Sequence, residues 1–114
     1  MIPSLAPGQV WRADLEPAEG HEQGGRRPVL VVSSQFHIDL TRETVVTVLP
    51  FTSRERRTWL HRPFLDVPPV SGWVITEQIR TISTDRLLHS EPLATLTESE
   101  IELVQPILRR MLAI

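Results

Sequence analysis

The sequence of 114 residues contains no cysteine. That excludes a disulfide framework and any thiolate metal site, and it fits a reducing compartment. Lysine is missing too, so all twelve basic residues are arginine. No apolar run approaches the roughly 20 residues of a membrane span, so no membrane partner is expected. The opening Met1-Ile2-Pro3-Ser4-Leu5-Ala6-Pro7-Gly8 has neither a basic leader nor a long apolar stretch. No secretory signal is therefore expected, and the default location is the cytoplasm. Low-complexity tracts and internal repeats are also lacking. The four histidines, His21, His37, His61 and His89, show no ligand spacing and no accompanying acidic cluster. Neither a metal nor a cofactor is expected from them.

What is present is a charge asymmetry. The net charge is −2, which taken alone speaks weakly against a nucleic-acid partner. Between Gly24 and Arg62, however, seven arginines face three acids, a local balance of +4. Between Asp85 and Glu102, five acids face one arginine, a balance of −4. Arginine forks onto phosphate and stacks on bases, so a positive middle third suits an RNA groove. A preference for arginine codons would produce the same composition, and both readings stand.

A chain of this length is expected to form one domain, spanning 1–114, with a real core. Strands are expected at 9–15, at 29–32 and at 44–49, the last stopped by Pro50. A strand at 64–67 is cut off by Pro68 and Pro69, and 73–75 and 78–82 read as two strands or one bent strand. Polar loops occupy 16–26 and 53–60, and a helical turn fits 34–40. Five or six short strands joined by polar loops suggest a compact barrel or a strongly bent sheet. The C-terminus differs in kind. Thr97 and Glu100 match a capping box, with Leu96 and Ile101 placed to staple it. Ile101, Val104, Ile107, Leu108, Met111 and Leu112 then share one helical face, and Pro106 is expected to kink the axis.

Three blocks carry a resemblance. GHEQGGRRPVLVVS at 20–33 resembles the signature of the MazF/PemK toxins, a G-S-E-Q-G-G-x-R-P-V-L-V-V-S pattern. Pro50-Phe51-Thr52-Ser53 is similar to the family's P-x-T-S turn. EQIRTI at 77–82, with Asp85-Arg86-Leu87 behind it, is similar to its E/D-Q-I-R-T-I block. GQVW at 8–11 and DLEP at 14–17 fit the family's opening strand, so the match runs over nearly the whole chain. The resemblance implies a mainly β (α+β) fold: a small SH3-like curled antiparallel β-barrel with a C-terminal amphipathic helix. It also implies a homodimeric endoribonuclease toxin that cuts single-stranded RNA (mRNA) at short sequences without a metal. Cleavage would run through 2′-hydroxyl attack and leave a cyclic phosphate and a free 5′-hydroxyl. The implied partner is a cognate MazE/PemI-like antitoxin whose acidic tail lies in the RNA groove. Two departures, His21 where serine is common and the variable loop from Arg54 to Trp59, bear on which sequence is cut.

Carried over by position, Arg27, Thr52 and Glu22 are the candidate catalytic residues. Such cleavage needs a proton acceptor, a proton donor, and groups that offset the charge growing on phosphorus. Arg27 suits the last task, being always charged and able to bind two phosphate oxygens. Thr52 can offer its hydroxyl to the same phosphate. A free arginine is a poor base near neutrality, so Glu22 is the more natural proton acceptor. Alternatively, Glu22 orients Arg26 or Arg27 through an ion pair. Gln23, Arg26, Ser53, Arg56, Arg57, Trp59 and Gln78 are the candidate RNA contacts. Gln23 and Gln78 either read base edges or tie loops together. Trp59 stacks on a base or packs within its loop, whereas Trp11 and Trp73 fit a core. A rival reading is a non-catalytic poison like the gyrase-binding toxin CcdB, which shares this general fold. The E-Q-G-G-x-R-P block with P-x-T-S favours the nuclease.

Overall fold

Runs such as Val29-Leu30-Val31 are apolar without alternation because they are covered on both sides. Val29 and Val31 join one buried cluster, with Trp11, Ala13, Val46, Val48, Ile38 and Ile82. Leu30 joins the other, with Val10, Leu49, Phe51, Leu65, Val74, Val104 and Leu108. Successive strand residues point to opposite faces, so one sheet separates two cores. The structure is a computed structural model that describes residues 5–114.

The strands are β1 (Gln9–Asp14), β2 (Arg26–Val31), β3 (Val45–Thr52), β4 (Phe64–Val67), β5 (Val70–Val74), β6 (Arg80–Ser83), β7 (Leu87–Leu88) and β8 (Ala94–Thr95). Helix α1 (Gln35–Leu40) lies between β2 and β3, and α2 (Glu98–Leu112) ends the chain. All pairings are antiparallel. The order β4-β5-β3-β2-β1-β7, with β6 added on β3 and β8 on β1, gives a sheet that curls without closing. The expected fold class is met.

Pro50 does not stop its strand. β3 continues through Pro50, which is buried, to Thr52. Val45 to Val48 pair with β6, and Phe51 and Thr52 pair with β5. Pro50 therefore sits where β3 exchanges one neighbour for another, and a missing N–H is tolerated at such a break in the ladder. Its carbonyl still accepts the Ile75 N–H at 2.9 Å. Residues 78–82 also differ from the expectation. Thr76–Gln78 form a single 3₁₀ turn, and the strand begins only at Arg80.

Helix α2 starts on the expected capping box, with Thr97 Oγ1 accepting from Glu100 N at 3.3 Å and Glu100 Oε1 accepting from Thr97 N at 2.8 Å. Leu96 and Ile101 both pack on the second core. The expected apolar face is buried only in part: Val104 and Leu108 are covered, whereas Met111 and Leu112 are 42% and 45% exposed. The helix is assigned without interruption through Pro106.

The end of β3 depends on one glycine. A Cβ on Gly72 would lie 2.7 Å from the Thr52 carbonyl oxygen, a backbone atom that cannot swing aside. Gly72→Ala is thus expected to push β5 away from Thr52 and cost about 1–3 kcal/mol. Chemical denaturation should show a lowered midpoint, and an unchanged midpoint would mean the two strands separate freely.

Candidate functional site

Arg27 leaves β2 one residue after its start and is half-buried. Its Nε donates to the Gly24 carbonyl at 2.7 Å, and its Nη1 donates to the Phe51 carbonyl at 3.0 Å. The guanidinium thereby bridges the β1–β2 loop and the end of β3, with further N–H donors left for a ligand. Burial lowers its pKa from the ordinary value, and the nearby charge of Glu16 opposes that shift. Thr52 follows Phe51 directly, so the same carbonyl brings Arg27 and Thr52 to one corner. Thr52 is 9% exposed. Its Oγ1 accepts from Arg54 N at 3.1 Å, which leaves the hydroxyl hydrogen free to donate.

Glu16 sets the loop that holds Arg27. One carboxylate oxygen accepts from Gly25 N at 2.6 Å, and Gly25 has φ +75°, where glycine is favoured. This fixes the peptide next to Gly24, whose carbonyl receives Arg27. Glu16 was not among the expected site residues, since nothing in its local sequence marks it.

A second group of residues forms an open cleft of about 440 Å³, lined by His21, Glu22, Gln23, Arg56, Trp59, Arg62, Glu77 and Gln78. Gln78 holds it together. Its Oε1 accepts from Gln23 N at 2.7 Å, and its Nε2 donates to the His21 carbonyl at 3.1 Å. Of the two readings of Gln78, the structure shows the loop tie, while the Gln23 side chain lines the cleft. Glu22 is not paired with Arg26 or Arg27. Its Oε1 accepts from Glu19 N at 3.2 Å, and its Oε2 lies 3.8 Å from Nη1 of Arg80. The expected acceptor beside Arg27 thus belongs to the neighbouring cleft, because the tie to Gln78 carries its loop towards β6. Arg80 Nη1 is buried without a hydrogen-bond partner.

The opposite wall of the cleft comes from the β3–β4 loop. Trp59 lies beneath two guanidinium groups, that of Arg62 at 4.3 Å and that of Arg56 at 5.1 Å from the ring centre. His61 stacks on it at 5.6 Å. Arg62 is ion-paired with Glu77 through Nη2, and its Nε donates to both Glu77 oxygens at 3.1 and 3.2 Å. His61 Nε2 is 3.2 Å from the same carboxylate. Sequence reasoning missed His61, Arg62, Glu77 and Arg80 as site residues. Arg26, Ser53 and Arg57 are exposed. Arg57 faces Glu55 at 3.8 Å, and Arg26 sits opposite Asp14 in the β1–β2 ladder. Trp11 is buried and donates to Gln9 Oε1 at 2.9 Å. Trp73 is half-buried, edge-on to Phe64 at 5.0 Å. Among the described residues no three histidine or acidic side chains converge as metal ligands. Among the described residues no helix is long and apolar enough to cross a membrane.

Burial alone would raise the pKa of Glu77. Hydrogen bonds from Arg62 and from its own backbone, with the charges of Arg62 and His61, outweigh burial and leave it below the ordinary carboxylate value. A lowered folded-state pKa adds stability above the unfolded value, and that stability is lost as pH falls through the folded value. Glu77→Gln is expected to cost on the order of 1 kcal/mol near neutrality, because the pair is only partly shielded from water. Melting temperatures measured from neutrality down into the carboxylate range should fall less steeply for the variant. Parallel curves would mean that Glu77 carries no pH-dependent stability.

With this geometry in view, comparison with known proteins is informative. The family model described as PemK-like, MazF-like toxin of type II toxin–antitoxin system matches residues 6–112. Among curated relatives, the endoribonuclease MazF9 of Mycobacterium tuberculosis is 34% identical over 101 residues, covering 82% of this chain and 84% of the relative. The endoribonuclease MazF of Staphylococcus epidermidis is 31% identical over 100 residues, covering 82% and 79%. Among solved structures, MazF from Deinococcus radiodurans superposes with a TM-score of 0.81 at 28% identity, covering 96% of this chain and 97% of the other. A MazE–MazF structure from the same organism gives 0.75 at 28% identity, covering 96% of each chain. A model that spans nearly the whole chain and relatives above 30% identity lead to one conclusion: the chain belongs to the PemK/MazF family of toxins of type II toxin–antitoxin systems.

Proposed function

We propose that residues 1–114 form one endoribonuclease domain that cuts single-stranded RNA, mRNA included, without a metal, as a homodimer in the cytoplasm. The observation that carries this reading is the Arg27 guanidinium, fixed by two backbone carbonyls, one of them that of Phe51, the residue before Thr52. The 2′-oxygen attacks the adjacent phosphorus, the bond to the 5′-oxygen breaks, and a 2′,3′-cyclic phosphate and a 5′-hydroxyl remain. Negative charge grows on the non-bridging oxygens, where a preorganised guanidinium and a hydroxyl donor stabilise it most. Arg27 stays cationic and serves as charge stabiliser rather than proton acceptor. The endoribonuclease names of the relatives support the reaction. The MazE–MazF structures of Deinococcus radiodurans support an antitoxin partner. Exposed Leu103, Met111, Leu112 and Ile114 near the C-terminus leave apolar surface that a second copy can cover.

Arg27→Ala is expected to lower cleavage about a hundredfold or more, equivalent to roughly 3–4 kcal/mol, in a protein that remains folded. Arg27→Lys should recover little, since an ammonium cannot reproduce the planar fork. Thr52→Ala should be milder, and Thr52→Ser should restore most activity. Cleavage should persist in EDTA and stop when the 2′-hydroxyl upstream of the cut is replaced by hydrogen. Rates of purified protein on a synthetic RNA check all of these, and near-normal cutting by Arg27→Ala would overturn the assignment.

The antitoxin should compete with RNA for the arginine-rich loops. A short acidic peptide from its disordered tail is expected to inhibit competitively, because a flexible polyanion seeks the same positive surface. Reversing the charge of Arg56 and Arg57 together should weaken both ligands, and reversing Glu98 and Glu102 should weaken neither. Inhibition that excess RNA cannot relieve would place the antitoxin on a separate surface.

A further inference from the structure

The cleft walled by Glu22, Gln23, Arg56 and Trp59 is built for something other than a phosphate. Its two carboxylates, Glu22 and Glu77, offset its two guanidiniums, Arg56 and Arg62, so it has no net charge with which to draw in an anionic backbone. Glu77 is spent on Arg62 and His61. Glu22 is not spent. Its side chain is 48% exposed, and its Oε2 accepts no hydrogen bond, being 3.8 Å from Arg80. Arg56 lines the same cleft, makes no ion pair among the described residues and lies over Trp59 at 5.1 Å. A guanidinium stacked on a ring keeps its N–H edge free for acceptors in its own plane.

We infer that this cleft is a guanine subsite, with Glu22 and Arg56 reading the base. The inference rests on the ribonuclease reading and deepens it. A carboxylate takes two parallel N–H donors, and a guanidinium gives two parallel N–H donors. Guanine presents N1–H beside N2–H on one edge and O6 beside N7 on another. Adenine and cytosine place a ring acceptor beside their single amino group, which a carboxylate repels. Uracil flanks its one N–H with carbonyl oxygens. The base is uncharged, so a cleft without net charge admits it while drawing in neither of the flanking phosphates. The phosphates have their own place: Gly24, whose carbonyl holds Arg27, is the next residue after Gln23 on the cleft wall. Arg80 approaches Glu22 from β6, with Nη1 3.8 Å from Oε2.

The test is to map the cuts made by purified protein in RNA of randomised sequence, then to repeat single-site kinetics with base analogues. A guanine is expected to be fixed at one position of the cut sites. Inosine there, which lacks the 2-amino group, should lower kcat/KM roughly 10- to 100-fold, and 7-deazaguanine should do the same through loss of N7. Glu22→Gln should abolish the inosine penalty and Arg56→Ala the 7-deaza penalty. These ratios are read independently of any general loss of rate. Cut sites with no fixed guanine, or inosine and 7-deazaguanine accepted at no cost, overturn the subsite while leaving the ribonuclease intact. Failure to cut any RNA, or to bind an uncleavable 2′-O-methyl RNA, overturns both.

Discussion

The architecture of the site depends on the two hydrogen bonds that Arg27 donates to backbone carbonyls. One goes to Gly24 in the β1–β2 loop and the other to Phe51 near the end of β3. Three constraints converge on them. Glu16 fixes the loop side by taking the Gly25 N–H. Gly72 lets β5 approach the strand end, where a methyl group would meet the Thr52 carbonyl. The β2–β3 pairing from Val29–Pro50 to Val31–Val48 fixes the distance between the two supports. A side chain of high conformational entropy is thus held before any ligand arrives, which is the state that transition-state stabilisation requires.

The neighbouring cleft is assembled by a different method. Arg27 joins two supports through one side chain, whereas the cleft joins three loops through several. Gln78 spends its whole amide on the backbone of residues 21 and 23. Glu77, one residue earlier in the same 3₁₀ turn, holds the β3–β4 loop through Arg62 and His61. That short turn therefore reaches both walls of the cleft. Its own position is secured by Thr76, buried and donating to the His61 carbonyl at 2.5 Å. Partly buried polar ties of this kind fix relative position more than they add to stability.

Much of the fold was legible because hydrophobic patterning is local. The strands around Trp11, Val29 to Val31 and Phe64 to Val67, and the capped start of α2, all follow from neighbouring residues. The misreadings arose where distant partners decide. Pro50 reads as a stop only until β3 is known to change neighbours there. The last turn of α2 reads as buried from its periodicity, yet burial stops at Leu108 and leaves Met111 and Leu112 exposed. Arg27 and Thr52 were legible from motif blocks, but the contact through Phe51 spans 24 residues and had no local sign. Glu22 was read as a proton acceptor near Arg27, or alternatively as an ion-pair partner of Arg26 or Arg27, for the same reason. Its proximity to Arg27 in sequence suggested a pair, and Arg80, 58 positions away, is the residue that provides it.

The charge pattern acquires its meaning only from these partnerships. The +4 balance of residues 24–62 overstates the free positive field, because Arg62 is bound to Glu77, an acid outside that segment. An arginine bound to a carboxylate presents little net charge to a ligand beyond a few ångströms. Arg27 is anchored instead by neutral carbonyls, so its orientation is fixed without an ion pair, and the nearby charge of Glu16 acts on it only through space. Arg56 rests on an indole, another support that does not neutralise it. The chain can therefore carry a net charge of −2 and still present two oriented cations, Arg27 and Arg56, that make no ion pair among the described residues. On the guanine-subsite proposal, Glu22 and Glu77 offset Arg56 and Arg62 within the cleft, which favours an uncharged base over a phosphate there.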